Sequence, residues 1–391
     1  MNYWVRLLLF FSVATSVWAV AHWYVSKRLI EPWHANYRAK KRARRILWAT
    51  FFLAPAVMFL GRSLANVEWF APIRWAGFVQ MGLFFLLFMF LVFRDLGMLL
   101  AEGVRRILRR PVDPERRRFF ENASNAGILG LTSALGGSGL ASALSTPEVV
   151  EVDVPITNLP PALDGYRIVQ LSDIHVGPTI KGKELREMVS VANALEPDMV
   201  AVTGDLVDGY VEDMRDDVAP LGDLRGRDGV FFCTGNHEYY WDADAWVAEV
   251  RRLGLTALLN EHVVVERDGA KVLVAGCLDY SSHRVVPEAI SDPAGAKADA
   301  APHDLSILLA HQPKSIKAAA EAGYDLQLSG HTHGGQFFPV TLFVGLVHPF
   351  SQGLGKQDNT WIYVNRGTGY WGPPLRAGVP PEITLLRLVR A

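Results

Sequence analysis

Charge and hydrophobicity are segregated along this chain, and the segregation limits what it can fold into. Residues 1–120 hold 19 Lys and Arg against 6 Asp and Glu, a balance of +13, while residues 121–391 carry −14, so the net charge of −1 is a cancellation. Inside the basic part lie three runs free of formal charge, at 7–25, 46–61 and 75–93. A bilayer core takes about 20 apolar residues per helix, so the first and third runs are long enough and the second a little short. Trp4, Trp18, Trp23 and Tyr24 stand near the ends of the first run, and seven of the eleven Trp precede residue 76. Such rings favour the membrane–water interface. Core helices of a soluble protein are the competing reading, and three runs separated by strongly basic loops speak against it.

A fourth run, 125–144, is uncharged but only weakly hydrophobic. Ala126, Gly130, Ala134, Ser138 and Ser142 recur every fourth residue, which would line one helix face with small side chains suited to close helix contact. A flexible Gly/Ser linker is the alternative, and the spacing favours a spanning helix. Loops 26–45 and 94–118 carry eight Lys and Arg each, against only Arg62 and Arg74 in 62–74. The positive-inside rule places both basic loops in the cytoplasm and the amino terminus outside. If the fourth run spans, the acidic part emerges on the outer side, the periplasm for a bacterial inner membrane. If not, it stays cytoplasmic. Arg6 and Ala19-Val20-Ala21 mimic a cleavable signal, but the basic loop that follows favours an uncleaved anchor. Arg116-Arg117-Arg118-Phe119-Phe120 resembles a twin-arginine export signal.

The acidic part argues against nucleic acid as its ligand, because phosphate backbones bind basic surfaces. Two cysteines, Cys233 and Cys277, leave no room for a disulfide framework or a cysteine-rich metal site and read as buried thiols. Beyond residue 151 the pattern alternates. Strands are expected at 166–172, 199–203, 230–233, 271–275, 305–310, 326–329, 361–365 and 382–389, with helices at 183–195, 243–253 and 315–322. This is an α/β pattern, in which ligands gather beyond the carboxyl ends of strands. The residues following those strands are Asp173-x-His175, Gly204-Asp205, Gly235-Asn236-His237-Glu238, His311 and Gly330-His331-Thr332-His333. Carboxylates, imidazoles and a carboxamide are ligands for divalent metals, and the adjacent glycines let backbone come close. Any one of these pairs would mean little. Five at successive strand ends point to one metal centre.

That ordered series resembles the calcineurin-like metallophosphoesterase superfamily over about residues 165–391. The stretches Leu171-Ser172-Asp173-Ile174-His175, Leu309-Ala310-His311-Gln312-Pro313, Gly330-His331-Thr332-His333-Gly334-Gly335-Gln336 and Pro380-Pro381-Glu382-Ile383-Thr384 are similar to a bacterial membrane-linked branch. That branch includes cell-envelope phosphoesterases and relatives that cleave UDP-diacylglucosamine. The sequence departs from the pattern at Asp279-Tyr280, where relatives often carry two aspartates. The resemblance implies a four-layer α/β/β/α sandwich, and the apolar runs place a bundle of transmembrane helices before it. It divides the chain into a membrane region at 1–145, a linker at 146–164 and a catalytic domain at 165–391.

By position, the resemblance assigns Asp173, His175, Asp205 and His333 to a first metal, with Asp205 bridging, and Asn236, His311 and His331 to a second. The ions could be Mn, Fe, Zn, Co or Ni, since the same ligands suit several. His237 would face the phosphate and donate a proton to the leaving oxygen. Two metals lower the pKa of a bridging water, whose hydroxide would attack phosphorus in line. The implied activity is a membrane-anchored, binuclear-metal phosphoester hydrolase. Its partners would be the lipid bilayer and a phosphorylated or pyrophosphate-linked lipid or envelope precursor. The alternatives are a sensor or transporter that binds phosphate without turnover, and a metal-stabilised structural module. Arg366 and Arg376 are candidate phosphate contacts, with surface arginines as the competing reading. His22, His34, His262, His283, His303 and His348 have no motif context. Residues 281–303 read as an insertion. The apolar segment 337–350 reads as hairpin core, or failing that as a lip touching lipid.

Overall fold

The computed structural model describes residues 3–61, 64, 67–109 and 113–391. Arg62 and Arg110, and the side chains of Trp4 and Arg6, lie outside the described residues, and so do the expectations placed on them. The chain divides into two compact units, Met1–Leu140 and Ala141–Ala391.

The first unit contains helices α1 (Tyr3–Val25), α2 (Tyr37–Thr50), α3 (Leu53–Leu60) and α4 (Ala71–Ile107), and α5 (Pro114–Ala143) begins in it. Among the described residues two helices, α4 and α5, are long and apolar enough to cross a membrane. The expected four-helix bundle is therefore corrected to two candidate spans. The run 46–61 fails for a local reason. Pro55 has no N–H to bond the carbonyl of Phe51, and its ring crowds that carbonyl, so the helix stops at Thr50 and restarts at Leu53. The freed Phe51 carbonyl accepts instead from Trp18 Nε1 at 3.1 Å. With 8 residues, α3 reaches only about 12 Å. Residues 125–143 continue α5 without a break, so they are helix rather than flexible linker.

The second unit is built on two mixed six-stranded sheets. The first runs in the order β1 (Glu148–Ile156), β12 (Glu382–Arg390), β2 (Arg167–Leu171), β3 (Met199–Val202), β4 (Gly229–Phe232), β5 (Thr256–Ala257). The second runs β10 (Gly353–Gln357), β11 (Thr360–Val364), β9 (Leu326–Ser329), β8 (Leu305–Leu309), β7 (Ala270–Gly276), β6 (Glu261–Arg267). Residues 146–164, expected as a linker, instead supply β1, paired in parallel with β12 from Glu148↔Glu382 to Ile156↔Arg390.

Three apolar clusters order the layers. Ile168, Met199 and Phe231 of the first sheet meet Val272, Ile307 and Leu328 of the second. On the far side of the first sheet, Leu171, Val202 and Phe232 join Leu185 of α6 (Gly182–Ala194), Met214 of α7 (Val211–Val218) and Trp246 of α9 (Ala243–Arg252). A short helix α8 (Asn236–Tyr240) precedes α9. On the far side of the second sheet, Leu273 and Leu308 join Ala296 of α10 (Pro293–Lys297) and Ala319 of α11 (Ile316–Glu321). The layers thus run helix, sheet, sheet, helix. Strands β2, β3 and β4 are mutually parallel, as are β7, β8, β9 and β11. Their carboxyl ends gather the loops that carry the chemistry.

Candidate metal centre

Each loop bends sharply just past its strand. Asp173 and His175 after β2, Asp205 after β3, and His331 and His333 after β9 all have φ between 50° and 70°. A left-handed residue other than glycine costs roughly 1 kcal/mol or more and persists only where its surroundings hold it. Here the loops brace one another. A Cβ at Gly330 would strike Ser172 and Asp173, and one at Gly235 would strike Asp205. The β2 and β9 loops, and the β3 and β4 loops, therefore approach to a separation only glycine permits.

The side chains form three groups able to hold a metal ion: Asp173, His175 and His333; Asp205, His311 and His331; and His175, Asp208 and His237. His175 Nε2 lies 3.1 Å from His333 Nε2, and His333 Nε2 lies 3.4 Å from Asp173 Oδ1. Asp173 accepts from the His331 backbone N–H at 2.9 Å and from Ser172 Oγ at 2.6 Å. Asp205 Oδ2 faces three imidazoles, His311 Nε2 at 3.1 Å, His237 Nε2 at 3.9 Å and His175 Nε2 at 4.0 Å.

The donor set fits a cation. His311 Nδ1 lies 2.8 Å from the Thr203 carbonyl, which can only accept, so Nδ1 carries a proton, and Nε2, facing Asp205, is the nitrogen that a second proton or a metal ion would take. Imidazoles that ligate metals are fixed by the same kind of contact on the other nitrogen. His311 Nε2, His175 Nδ1 and Asn236 Oδ1 are buried and make no hydrogen bond. His311 Nε2 and His175 Nδ1 instead face the Asp205 and Asp208 carboxylates at 3.1 and 3.3 Å, an arrangement that is costly unless a proton or a cation stands between them.

The electrostatics agree. Burial pushes the Asp205 carboxyl up, but His311, His237 and His175 more than reverse this and hold it well below the usual range. Burial, then the charge of His311, drives His331 down to about 3. Burial and the Arg376 guanidinium drive His333 well down too. Both rings are thus neutral; His331 can offer a lone pair to the cluster, whereas the lone pair of His333 Nδ1 accepts from the Arg376 guanidinium, which can only donate. Against its burial, His311 is raised well above the ordinary value by Asp205, Asp173 and Asp279. The carboxylates demand positive charge at this point, which a proton or a divalent ion can supply.

His237 is set apart. Its Nδ1 lies 2.6 Å from Asp208 Oδ1, and its ring contacts Tyr240 and Trp371, with centroids 5.2 and 5.7 Å away. Burial would lower its pKa, but Asp205 and Asp208 raise it to about 9. Sequence reading missed Asp208. The signal was present, a second carboxylate three residues after Asp205 in the same loop. Glu238 was quoted only as part of a motif. Its buried carboxylate accepts from the backbone N–H groups of Asp205, Leu206 and Gly235, tying the β3 and β4 loops together.

The two arginines expected at phosphate are engaged elsewhere. Arg376 is fully buried and donates to the carbonyls of Gly369, Arg366 and His333, with Nη2 2.9 Å from His333 Nδ1. It supports His333 from behind. Arg366 Nε donates to the buried Glu382 carboxylate at 2.5 Å. Asp279 is buried and accepts from Gln312 Nε2 at 3.0 Å, while Tyr280 is exposed. Cys233 and Cys277 are free and buried. The segment 337–350 is not hairpin core. Phe337 is buried, but Leu342, Leu346 and Val347 stand in solvent.

Residues 166–335 match the calcineurin-like phosphoesterase family. The chain is 38% identical over 328 residues to a transmembrane protein with metallophosphoesterase domain from Danio rerio, covering 80% of this chain and 72% of that protein. It is 31% identical over 388 residues to an uncharacterised metallophosphoesterase of Campylobacter jejuni, covering 97% and 98%. This chain belongs to the calcineurin-like phosphoesterase family. Among solved structures it is similar to the calcineurin-like phosphoesterase YfkN of Bacillus subtilis, at 14% identity and a TM-score of 0.34, over 51% of this chain and 88% of that one. As a member of this family the chain is, at the general level, a metal-dependent phosphoester hydrolase, and the Asp and His groups at its strand ends are where a metal would sit.

Proposed function

We propose that this metallophosphoesterase is a membrane-anchored, binuclear-metal hydrolase acting on a phosphorylated or pyrophosphate-linked lipid or envelope precursor. The observation that carries the reading is Asp205 at the junction of two ligand groups, its Oδ2 facing His311 Nε2 of one at 3.1 Å and His175 Nε2 of the other at 4.0 Å. A carboxylate oxygen carries more than one lone pair and can be shared between two ions, whereas an imidazole nitrogen offers one. Asp173, His175, Asp205 and His333 would hold one ion, and Asp205, Asn236, His311 and His331 the other. Two divalent ions supply Lewis-acid neutralisation of the phosphoryl oxygens and a nucleophilic water at neutral pH. Held by Asp208, His237 keeps a proton on Nε2 for the leaving oxygen. Glu238, Gln312 and Arg376 keep the loops and rings in register.

Anchoring rests on α4 and α5 and on the basic stretch 94–118 where they meet, which the positive-inside rule favours as cytoplasmic at a bacterial inner membrane; with 46–61 lost as a span, the expectation that 26–45 shares that side is given up. With α5 as a span, the catalytic unit lies on the outer, periplasmic side. Confinement beside the bilayer favours a lipid-linked substrate. The acidic balance of this unit speaks against nucleic acid as its substrate.

The test is Asp205→Ala in the full chain. Bound metal should fall sharply and hydrolysis of an aryl phosphodiester should drop by about 10³-fold or more. Full metal content with full turnover would overturn the reading.

A further inference from the structure

The segment after Gly335 leaves the metal cluster as two single 3-10 turns, Val340–Leu342 and Val344–Leu346, and neither contains a buried residue. Its ends are fixed. Phe337 is buried, and Phe350 packs against Ile316, Ile362 and Val364. Between them Leu342 is 61% exposed, Leu346 81% and Val347 61%. The surrounding chemistry is as telling as the exposure. From 326 to 355 there is no Asp, Glu, Lys or Arg, in a unit that is otherwise strongly charged and acidic.

This apolar lip is continuous with the site. His348 at its far end stacks edge-on against His331, with ring centroids 5.2 Å apart. Thr332, between the two cluster histidines, donates through Oγ1 to the Ser351 carbonyl at 2.5 Å. On the opposite flank, Trp371 is 55% exposed beside His237, and Gln336 holds its backbone, donating to the Trp371 carbonyl and accepting from its N–H, each at 2.9 Å. Tyr240, also beside His237, is 53% exposed. Aliphatic tips next to Trp and Tyr are the side-chain order of a surface that enters a bilayer interface.

The second unit follows a candidate span on a short tether. Only residues 144–147 separate the end of α5 from β1, a reach of roughly 14 Å at full extension. We infer that the lip 338–347, flanked by Trp371 and Tyr240, inserts into the apolar surface of the bilayer and holds the metal cluster at phosphate headgroup level. The substrate's phosphate is then taken from the membrane plane rather than from water. The inference rests on the anchored-hydrolase reading and adds the surface by which the site meets its substrate.

The test uses the full chain in phosphatidylcholine–phosphatidylglycerol vesicles. Leu346→Cys is labelled with an environment-sensitive fluorophore, since Cys233 and Cys277 are buried. Lys317→Cys, at a side chain 85% exposed on α11, is the control. With bromine-bearing lipids, the label at 346 should shift to the blue and lose most of its fluorescence, and the label at 317 should lose little. Equal, weak quenching at both positions in metal-loaded protein that resists alkaline extraction would overturn the lip and leave the anchored hydrolase standing. Extraction of the protein by alkaline carbonate would overturn both. Self-quenching at 346 that depends on protein density and not on brominated lipid would mean a second copy covers the lip, and would overturn bilayer insertion.

Discussion

The two units handle clustered charge in opposite ways. In the first, Asp95 of α4 accepts from Tyr24 at 2.6 Å, from Arg28 at 2.6 Å and from Arg94 at 2.9 Å. Asn125 of α5 joins them, accepting from Arg94 and donating to the Arg28 carbonyl at 2.9 Å. That network is complete, and it ties α1, α4 and α5 at one level. In the second unit, Asp173, Asp205 and Asp208 crowd against His175, His237, His311 and His333, and His175 Nδ1 and His311 Nε2 face carboxylates without making a hydrogen bond. The first arrangement stabilises a fold. The second spends stability on holding like acceptors together, which is what a cation site requires.

The sharpest way to separate the two is His237→Ala. It should leave bound metal unchanged and lower turnover of an aryl phosphodiester by about 10²–10⁴-fold, the usual worth of a positioned acid. Loss of metal as well would move His237 into the ligand set. Next in size is Asp208→Asn, expected to cost roughly 10–100-fold through a misplaced ring. This variant also carries a pH signature. His237 is raised to about 9 and, as the proposed acid, would work protonated, so activity should fall as pH climbs through that value. Removing the Asp208 charge lowers the pKa, and the alkaline limb of the pH profile should move to lower pH. An unmoved limb would break the proposed pairing. The smallest expected effect is on the other side of the comparison. Asp95→Leu leaves Arg28 and Arg94 without their shared acceptor and should destabilise the helices by about 1.5–3 kcal/mol. It should leave turnover per bound metal unchanged, and a fall in that ratio would show that the helix network serves catalysis.

What could be read without coordinates was whatever is local. The ligand series stood out because each motif is contiguous and follows its own strand. The alternation of strands and helices gave the layered α/β class, and the small-residue ladder at 126–142 gave a helix that exists. What stayed hidden depended on partners far away in sequence. β1 was passed over as linker because its acidic, half-exposed residues become a strand only beside β12, more than two hundred residues on. Arg376 looked like a phosphate contact because nothing near it in sequence tells of the Gly369 and Arg366 carbonyls that absorb its donors. The segment 337–350 looked like core by composition, yet composition cannot say whether a neighbour covers it.

Sequence alone thus determined the residue types, their order along the chain and the strand ends from which they project, since these follow from hydrophobic period and local turn chemistry. Tertiary structure decided which of them meet. It paired Asp208 with His237, turned Arg366 and Arg376 inward, broke the second apolar run at Pro55 with Trp18 as the substitute donor, and left the lip bare. Each is a contact between distant segments, and such contacts are chosen by the packing of whole layers rather than by any window of sequence.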